Sequence, residues 1–362
     1  TPKPSSAASD VYKRQVVFRD RDVVQDPNLR VYVVLGHIQP PDRVLCFLKY
    51  VPDSGGRWVS SGVRYRRVFW GGVESVVSSL DEVPRDYLVW DPHFNTRLTE
   101  IPSDCVLNHF LPEERLRQIL HEGPADHLEQ RAVSLAEALH DTLGISFDSI
   151  GVGGSIAWGA HNPNYSDVNM NIYGFENAWC LEHGYDALVS ENSHLLLRSG
   201  DDWHNAKQRL LSRVTGVTMT DLQRLFQRRR ALYCSDMCIG ITPVLNPHES
   251  PIPYGSESYE TVLSRPLCTR FRVDDARYGL FLPSIIYGES DWIPEIDGRA
   301  SRLMIYEGAF RGLVRDGDRL EVCGALQRII RPSSHGSEDD HPQFQLMIGT
   351  QSGAGREYMR LL

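Results

Sequence analysis

Two short stretches hold residue types that could do chemistry. The first is Gly153-Gly154-Ser155-Ile156-Ala157-Trp158-Gly159, and the second is Ser166-Asp167-Val168-Asn169-Met170-Asn171-Ile172-Tyr173-Gly174. Adjacent glycines let a backbone turn pass close to a ligand, and the amides and hydroxyl that follow can hold a triphosphate. On a strand, side-chain alternation puts Asp167, Asn169 and Asn171 on one face and Val168, Met170 and Ile172 on the other. The first face is rich in oxygen donors and could hold Mg2+; the second belongs to a core. Neither stretch is specific alone, since most Gly-Gly-Ser turns are ordinary loops.

The elements that must position these residues can be read from periodicity. Leu116, Ile119, Leu120, Leu128, Leu135, Leu139 and Leu143 recur at helical spacing, which predicts helix over 113–143 with Gly144 as its C-cap. A strand over 147–152, a tight glycine turn, a helix start over 156–160 and a second strand over 168–173 follow. From Asn177 to Leu232 the chain reads as mostly helical and polar. Its run Arg228-Arg229-Arg230 could neutralise phosphates or be a solvated helix face. Strand character returns from Met237 to Leu245, with Asp236 at the edge. Ahead of all this, residues 16–112 read as a small α+β unit, with strands at Val31–Leu35 and Val44–Tyr50 divided by the breaker His37–Asp42. After the Pro- and Ser-rich connection 247–266, strands alternate with glycine turns such as Arg315-Asp316-Gly317-Asp318, which predicts a small β-barrel or β-sandwich. The polar insert Pro332 to Pro342 reads as an exposed hairpin loop. The expected class is α+β, in units 16–112, 113–266 and 267–362.

The order strand, glycine turn, helix and strand, with twelve positions from Ser155 to Asp167, resembles the Gly-Ser and Asp-x-Asp signature of the nucleotidyltransferase fold of the DNA polymerase β superfamily. His161-Asn162-Pro163 before Ser166-Asp167, and the closing Ile172-Tyr173-Gly174, are similar to a group of predicted archaeal nucleotidyltransferases. That likeness covers most of the chain, from Gly36-His37, Pro41-Asp42-Arg43-Val44 and Leu48-Lys49-Tyr50-Val51-Pro52 to Tyr306-Glu307-Gly308, Gly349-Thr350 and Arg356-Glu357-Tyr358. The resemblance implies a central nucleotidyltransferase-fold domain that moves a nucleoside monophosphate from a nucleoside triphosphate to a hydroxyl of an RNA, a protein or a small molecule. In active members, two carboxylates one residue apart and a third on a neighbouring strand hold two Mg2+ (or Mn2+) ions.

Carried over position by position, Gly153, Gly154, Ser155 and Ser166 would bind nucleotide and Asp167 would be the first metal ligand. Asn169 stands in the place of the second carboxylate, and Asp236 is the candidate for the third. Asn169 offers one neutral oxygen where a hard cation prefers a charged one, so metal affinity should fall by several kcal/mol in order of magnitude. Two functions follow from the resemblance: a nucleotidyltransferase, and a nucleotide-sensing or RNA-binding protein that keeps the fold and has lost turnover. Trp158 occupies a turn position where related enzymes often carry Arg, and it either packs in a core or stacks on a base.

Composition narrows the alternatives. With 362 residues, 41% hydrophobic and 23% charged, the chain has the make-up of a soluble protein of two or three units. No run approaches the ~18 apolar residues of a membrane span. A formal net charge of -9 opposes non-specific coating of nucleic acid. The seven cysteines are odd in number and scattered, which reads as reduced, cytoplasmic thiols. No histidine pair has ligand spacing, and the glycine turn lacks the Lys-Ser or Lys-Thr ending of a P-loop. Finally, Ser5 to Gln15, SSAASDVYKRQ, back-translates to a sequence resembling the adapter of transposase-built sequencing libraries. Thr1 to Gln15 is therefore expected to be a translated artefact that replaces a lost beginning, and is set aside from fold reasoning.

Overall fold

The computed structural model describes residues 17–198, 200–332 and 342–362. The adapter-like segment, and the middle of the polar insert expected as a hairpin loop, lie outside the described residues. Helices and strands are mixed throughout, and the strands form sheets of eight, five and seven. No helix among the described residues is long and apolar enough to cross a membrane.

The first sheet is organised by the ten-residue strand Arg43–Pro52, which pairs with Val31–Val34, with Val63–Arg67 and with Thr96–Pro102. It is apolar along nearly its whole length because both faces are covered. Val44, Cys46 and Leu48 pack with Val24, Tyr32 and Ile101 on one side. Leu45 points the other way, into a cluster with Ile285, Met304 and Met347 of the C-terminal part. This burial, at roughly 1.5–3 kcal/mol for each large apolar side chain, holds the N-terminal sheet against the rest of the molecule.

The helix expected over 113–143 is two helices, Pro112–Glu122 and His127–Leu143. Gly123, at φ 86°, leaves the helical region, and the ring of Pro124 has no N–H to continue the ladder. Asp126 then starts the second helix by accepting from the amides of Leu128 and Glu129. Gly144 ends it in the left-handed conformation, as its place in the sequence predicts. These helices cover one face of the five-stranded sheet. Its strands run in the order Leu195–Leu197, Leu232–Cys234, Met237–Val244, Asn169–Tyr173 and Ile150–Val152. Met170 and Ile172 pack with Leu128, Leu135, Leu139, Val152 and Ile239, the core face that alternation assigns to them.

The C-terminal part is a barrel. Leu267–Tyr278, Ser284–Ser290, Arg302–Ile305, Gln343–Ile348 and Arg319–Ile330 pair in turn, and the last pairs back with the first. Closure removes the edges an open sheet would expose. One expectation is corrected here. Cys268 and Cys323 face each other in the antiparallel register of Leu267–Tyr278 with Arg319–Ile330 and form a disulfide, so the seven cysteines are not all free. Strand register, invisible to spacing along the chain, brings them together.

Candidate phosphate-binding site

Ile150–Val152 runs into the glycine turn, and Asn169–Tyr173 returns antiparallel beside it. The turn is pinned to the returning strand by a bond from the Gly153 amide to the Asn169 carbonyl, 2.7 Å. Gly154 has φ +63°, and a Cβ there would stand 3.1 Å from Asn169 Nδ2, so this position needs glycine for conformation and for space. Gly153 lies over Asn171, with 3.5 Å between a built Cβ and Asn171 Oδ1. The two halves of the sequence signature therefore meet directly.

The loop that joins them is held from outside. Trp158 is buried against Tyr50 and Tyr65, with ring centroids at 5.3 and 4.9 Å, so it packs in a core. His161 Nε2 lies 2.8 Å from Asp126 Oδ2 and ties the loop to the start of His127–Leu143. The Ser166 hydroxyl accepts from the Asn162 amide at 2.9 Å and closes the turn before the strand. Ser155 is buried in the short helix Gly154–Ala157.

Asp167 precedes the strand and is exposed, and its carboxylate makes no hydrogen bond or ion pair with a described residue. Asn169 is half-buried on the strand itself. In the parallel register of Asn169–Tyr173 with Met237–Val244, Asn169 faces Gly240 and Asn171 faces Thr242. Asp236 belongs to the turn before Met237, four residues from Gly240, which is about 13 Å along an extended chain. It is exposed and pairs with Arg131 instead. Asp236, expected as the third acid beside Asp167 and Asn169, thus lies at the strand's start with Arg131 as its partner. The face of Met237–Val244 that lies beside Asn169 and Asn171 presents Cys238, Gly240 and Thr242, none of them a carboxylate.

The donor set can be tested against the two-metal site that the resemblance implies. One free carboxylate, Asp167, and one amide, Asn169, supply far less charge than hard divalent cations require. The residues do not fit such a site.

Cations occupy the neighbourhood instead. Arg198 Nη1 lies 3.4 Å from Cys238 Sγ, and Arg311 Nη2 lies 3.4 Å from Thr242 Oγ1. Between those two positions is Gly240, exposed, with a built Cβ 3.0 Å from Asn169 Oδ1. Gly240, exposed beside the Asn169 amide, thus lies between two strand neighbours that each meet a guanidinium group. Arg311 Nη1, Arg198 Nε and Arg229 Nε are buried without a hydrogen-bond partner. Arg229 stacks on Phe226 and lies beside Trp203, which Arg198 covers at 3.8 Å. Burial, then repulsion from Arg198, pushes Arg229 down to about 10; burial, then repulsion from Arg21, does the same to Arg311. Both stay charged at neutral pH. Lys49 is pushed down to about 8 by burial and by Arg67, against the opposing pull of Asp167.

The run Arg228-Arg229-Arg230, expected either to neutralise phosphates or to be a solvated helix face, lies past the helix Met219–Phe226 and divides three ways. Arg228 pairs with Asp318 of the barrel, Arg229 is half-buried on Phe226, and the exposed Arg230 lies 3.7 Å from Asp186. Arg198, Arg311 and Lys49 were not legible as site residues. They come from three separate parts of the chain; the fold sets Arg198 and Arg311 along Met237–Val244 and brings Lys49 within the field of Asp167.

A separate cavity of about 360 Å3 lies between the N-terminal sheet and the barrel, walled by Leu45, Phe47, Phe69, Phe94 and Met347 with Arg21 at its edge. No residue of the glycine turn lines it. Against family models, curated proteins and solved structures, the chain has no match.

Proposed function

We propose that the chain binds the phosphates of a nucleoside triphosphate on the open sheet face over Gly240 and Asn169, beside the Gly153-Gly154 turn. One observation carries this reading: Arg198 and Arg311 flank an exposed glycine and keep buried N–H groups without partners, in a protein of formal charge -9. A buried donor left unpaired costs about 1–3 kcal/mol, and a phosphate oxygen is the acceptor that Arg fits best. The likeness of Gly154-Ser155 and Asp167-x-Asn169 to the nucleotidyltransferase signature favours a nucleotide over bare phosphate.

Of the two functions that the resemblance implies, nucleotide sensing accords better with the donor set than nucleotidyl transfer does. Transfer through two Mg2+ or Mn2+ ions needs carboxylates that Asn169 and Gly240 do not supply. The test is exposure of the full chain to each α-labelled nucleoside triphosphate with Mg2+ or Mn2+ and cellular RNA or protein, beside a thermal-shift titration with ATP. The expected result is an ATP-dependent rise in melting temperature without label transfer. Label transfer that disappears in Asp167→Ala would establish an enzyme and overturn the choice.

A further inference from the structure

We propose that guanidinium groups take the place of metal ions in this site, so that Arg198 and Arg311 neutralise the phosphates directly and binding needs no divalent cation. The inference rests on the nucleotide reading above and adds how charge is balanced within it.

In a two-metal site the carboxylates repel the phosphates, and the bound ions reverse that repulsion. Without metal, every carboxylate facing the ligand is a direct cost. At the position beside Asn169 on the parallel strand there is no side chain at all, only Gly240. At the second ligand position there is a neutral amide, whose Nδ2 lies towards Gly154 and whose Oδ1 lies towards Gly240. The positions that would hold metal are thus emptied of negative charge.

Positive charge is supplied from elsewhere in the fold. Arg311 comes from the barrel and reaches Thr242; Arg198 follows the strand Leu195–Leu197 and reaches Cys238. Thr242 and Cys238 are each two residues from Gly240 on the same strand face, about 7 Å away along the chain. The planar fork of Arg matches phosphate geometry and cannot lose its charge at neutral pH. Arg229, half-buried behind Arg198, has its Nε unpartnered and adds to the field. Asp167, the acid kept in the signature, is exposed and has the Lys49 ammonium as a neighbour that feels its charge, while Asp20 acts on Arg311 and Glu307 on Arg229.

The experiment is calorimetric titration of the full chain with ATP and with inorganic triphosphate, first in EDTA and then in excess Mg2+. Binding of both ligands in EDTA, no weaker than in Mg2+, is expected. Arg311→Gln and Arg198→Gln should each weaken metal-free binding by about tenfold or more, the loss of one charge-assisted contact. Binding that requires Mg2+, with metal-free affinity at least about tenfold lower, overturns the inference and leaves the nucleotide reading standing. Absence of binding in both conditions overturns the nucleotide reading itself. The wild-type comparison needs no variant to fold.

Discussion

Gly154 sits so close to the side chain of Asn169 that a Cβ on the glycine would stand 3.1 Å from Asn169 Nδ2. The contact joins the glycine turn to the strand that follows it, and its first consequence is for substitution at the turn. Gly154→Ala must hold φ near +63° and push the amide aside. The left-handed conformation costs an L-residue about 1–2 kcal/mol. Denaturant melts should show a loss of at least that size, with weaker triphosphate binding. Unchanged stability and binding would mean that the turn does not need the space.

Placing an acid at Asn169 should reverse the charge balance of the proposed site. Asn169→Asp places a second carboxylate two residues beyond Asp167 and raises affinity for Mg2+, measurable by calorimetry in the absence of nucleotide. In EDTA the same variant should bind inorganic triphosphate more weakly than wild type, because the new charge faces the phosphates. Stronger binding in EDTA would contradict this picture.

The tie between His161 and Asp126 predicts a coupled loss. Asp126 caps His127–Leu143 and also holds His161 at 2.8 Å. Asp126→Ala should cost about 1–2 kcal/mol through the cap and loosen the loop between Gly159 and Ser166. Asp126→Asn, which can still cap, should recover most of the stability. Equal losses in the two variants would show that the cap is not what matters.

His37 gives the fold a defined acid sensitivity. Its ring is buried, with Nε2 3.0 Å from the Pro283 carbonyl and Nδ1 2.8 Å from the Ser250 hydroxyl, and burial pushes it down to about 4. The carbonyl can only accept, so the neutral ring carries its proton on Nε2. Because the unfolded chain takes up this proton near pH 6.5, it binds more protons than the folded chain between there and about 4. The contribution is intact above pH 6.5 and is lost as pH falls towards 4, by at most about 1.4 kcal/mol per pH unit. Comparing denaturant melts of wild type and His37→Gln across that window should show the steeper slope in wild type. Parallel slopes would assign the acid loss to other groups.

What could be read from the sequence was local. The helical leucines, the left-handed Gly144, the core side of Met170 and Ile172 and the all-strand last third, as a barrel or a sandwich, all follow from period, turn chemistry and chain direction. The helix break at Gly123-Pro124 was also present in the residues, but the leucine spacing on both sides continued across it. Pairings between distant strands were not legible. The disulfide from Cys268 to Cys323 depends on register, and the separation of Asp236 from Asn169 depends on which residue of Met237–Val244 lies opposite. Arg198 is a lone basic residue in its neighbourhood and Arg311 is one of several arginines in the barrel sequence, and neither is marked as a partner of Met237–Val244 until Cys238 and Thr242 lie on one strand face. The signature located the glycine turn and the strand beside it, while the arginines near them emerged only from the fold.

The most direct test of the central claim is hydrogen–deuterium exchange of the full chain with and without ATP. The account predicts slower exchange on ATP addition in the peptides that carry Gly153–Ala157 and Gly240–Thr242, with the walls of the cavity around Phe69 and Val76 unchanged. Slowing confined to those cavity walls, with the glycine turn unaffected, would contradict it and place the nucleotide elsewhere.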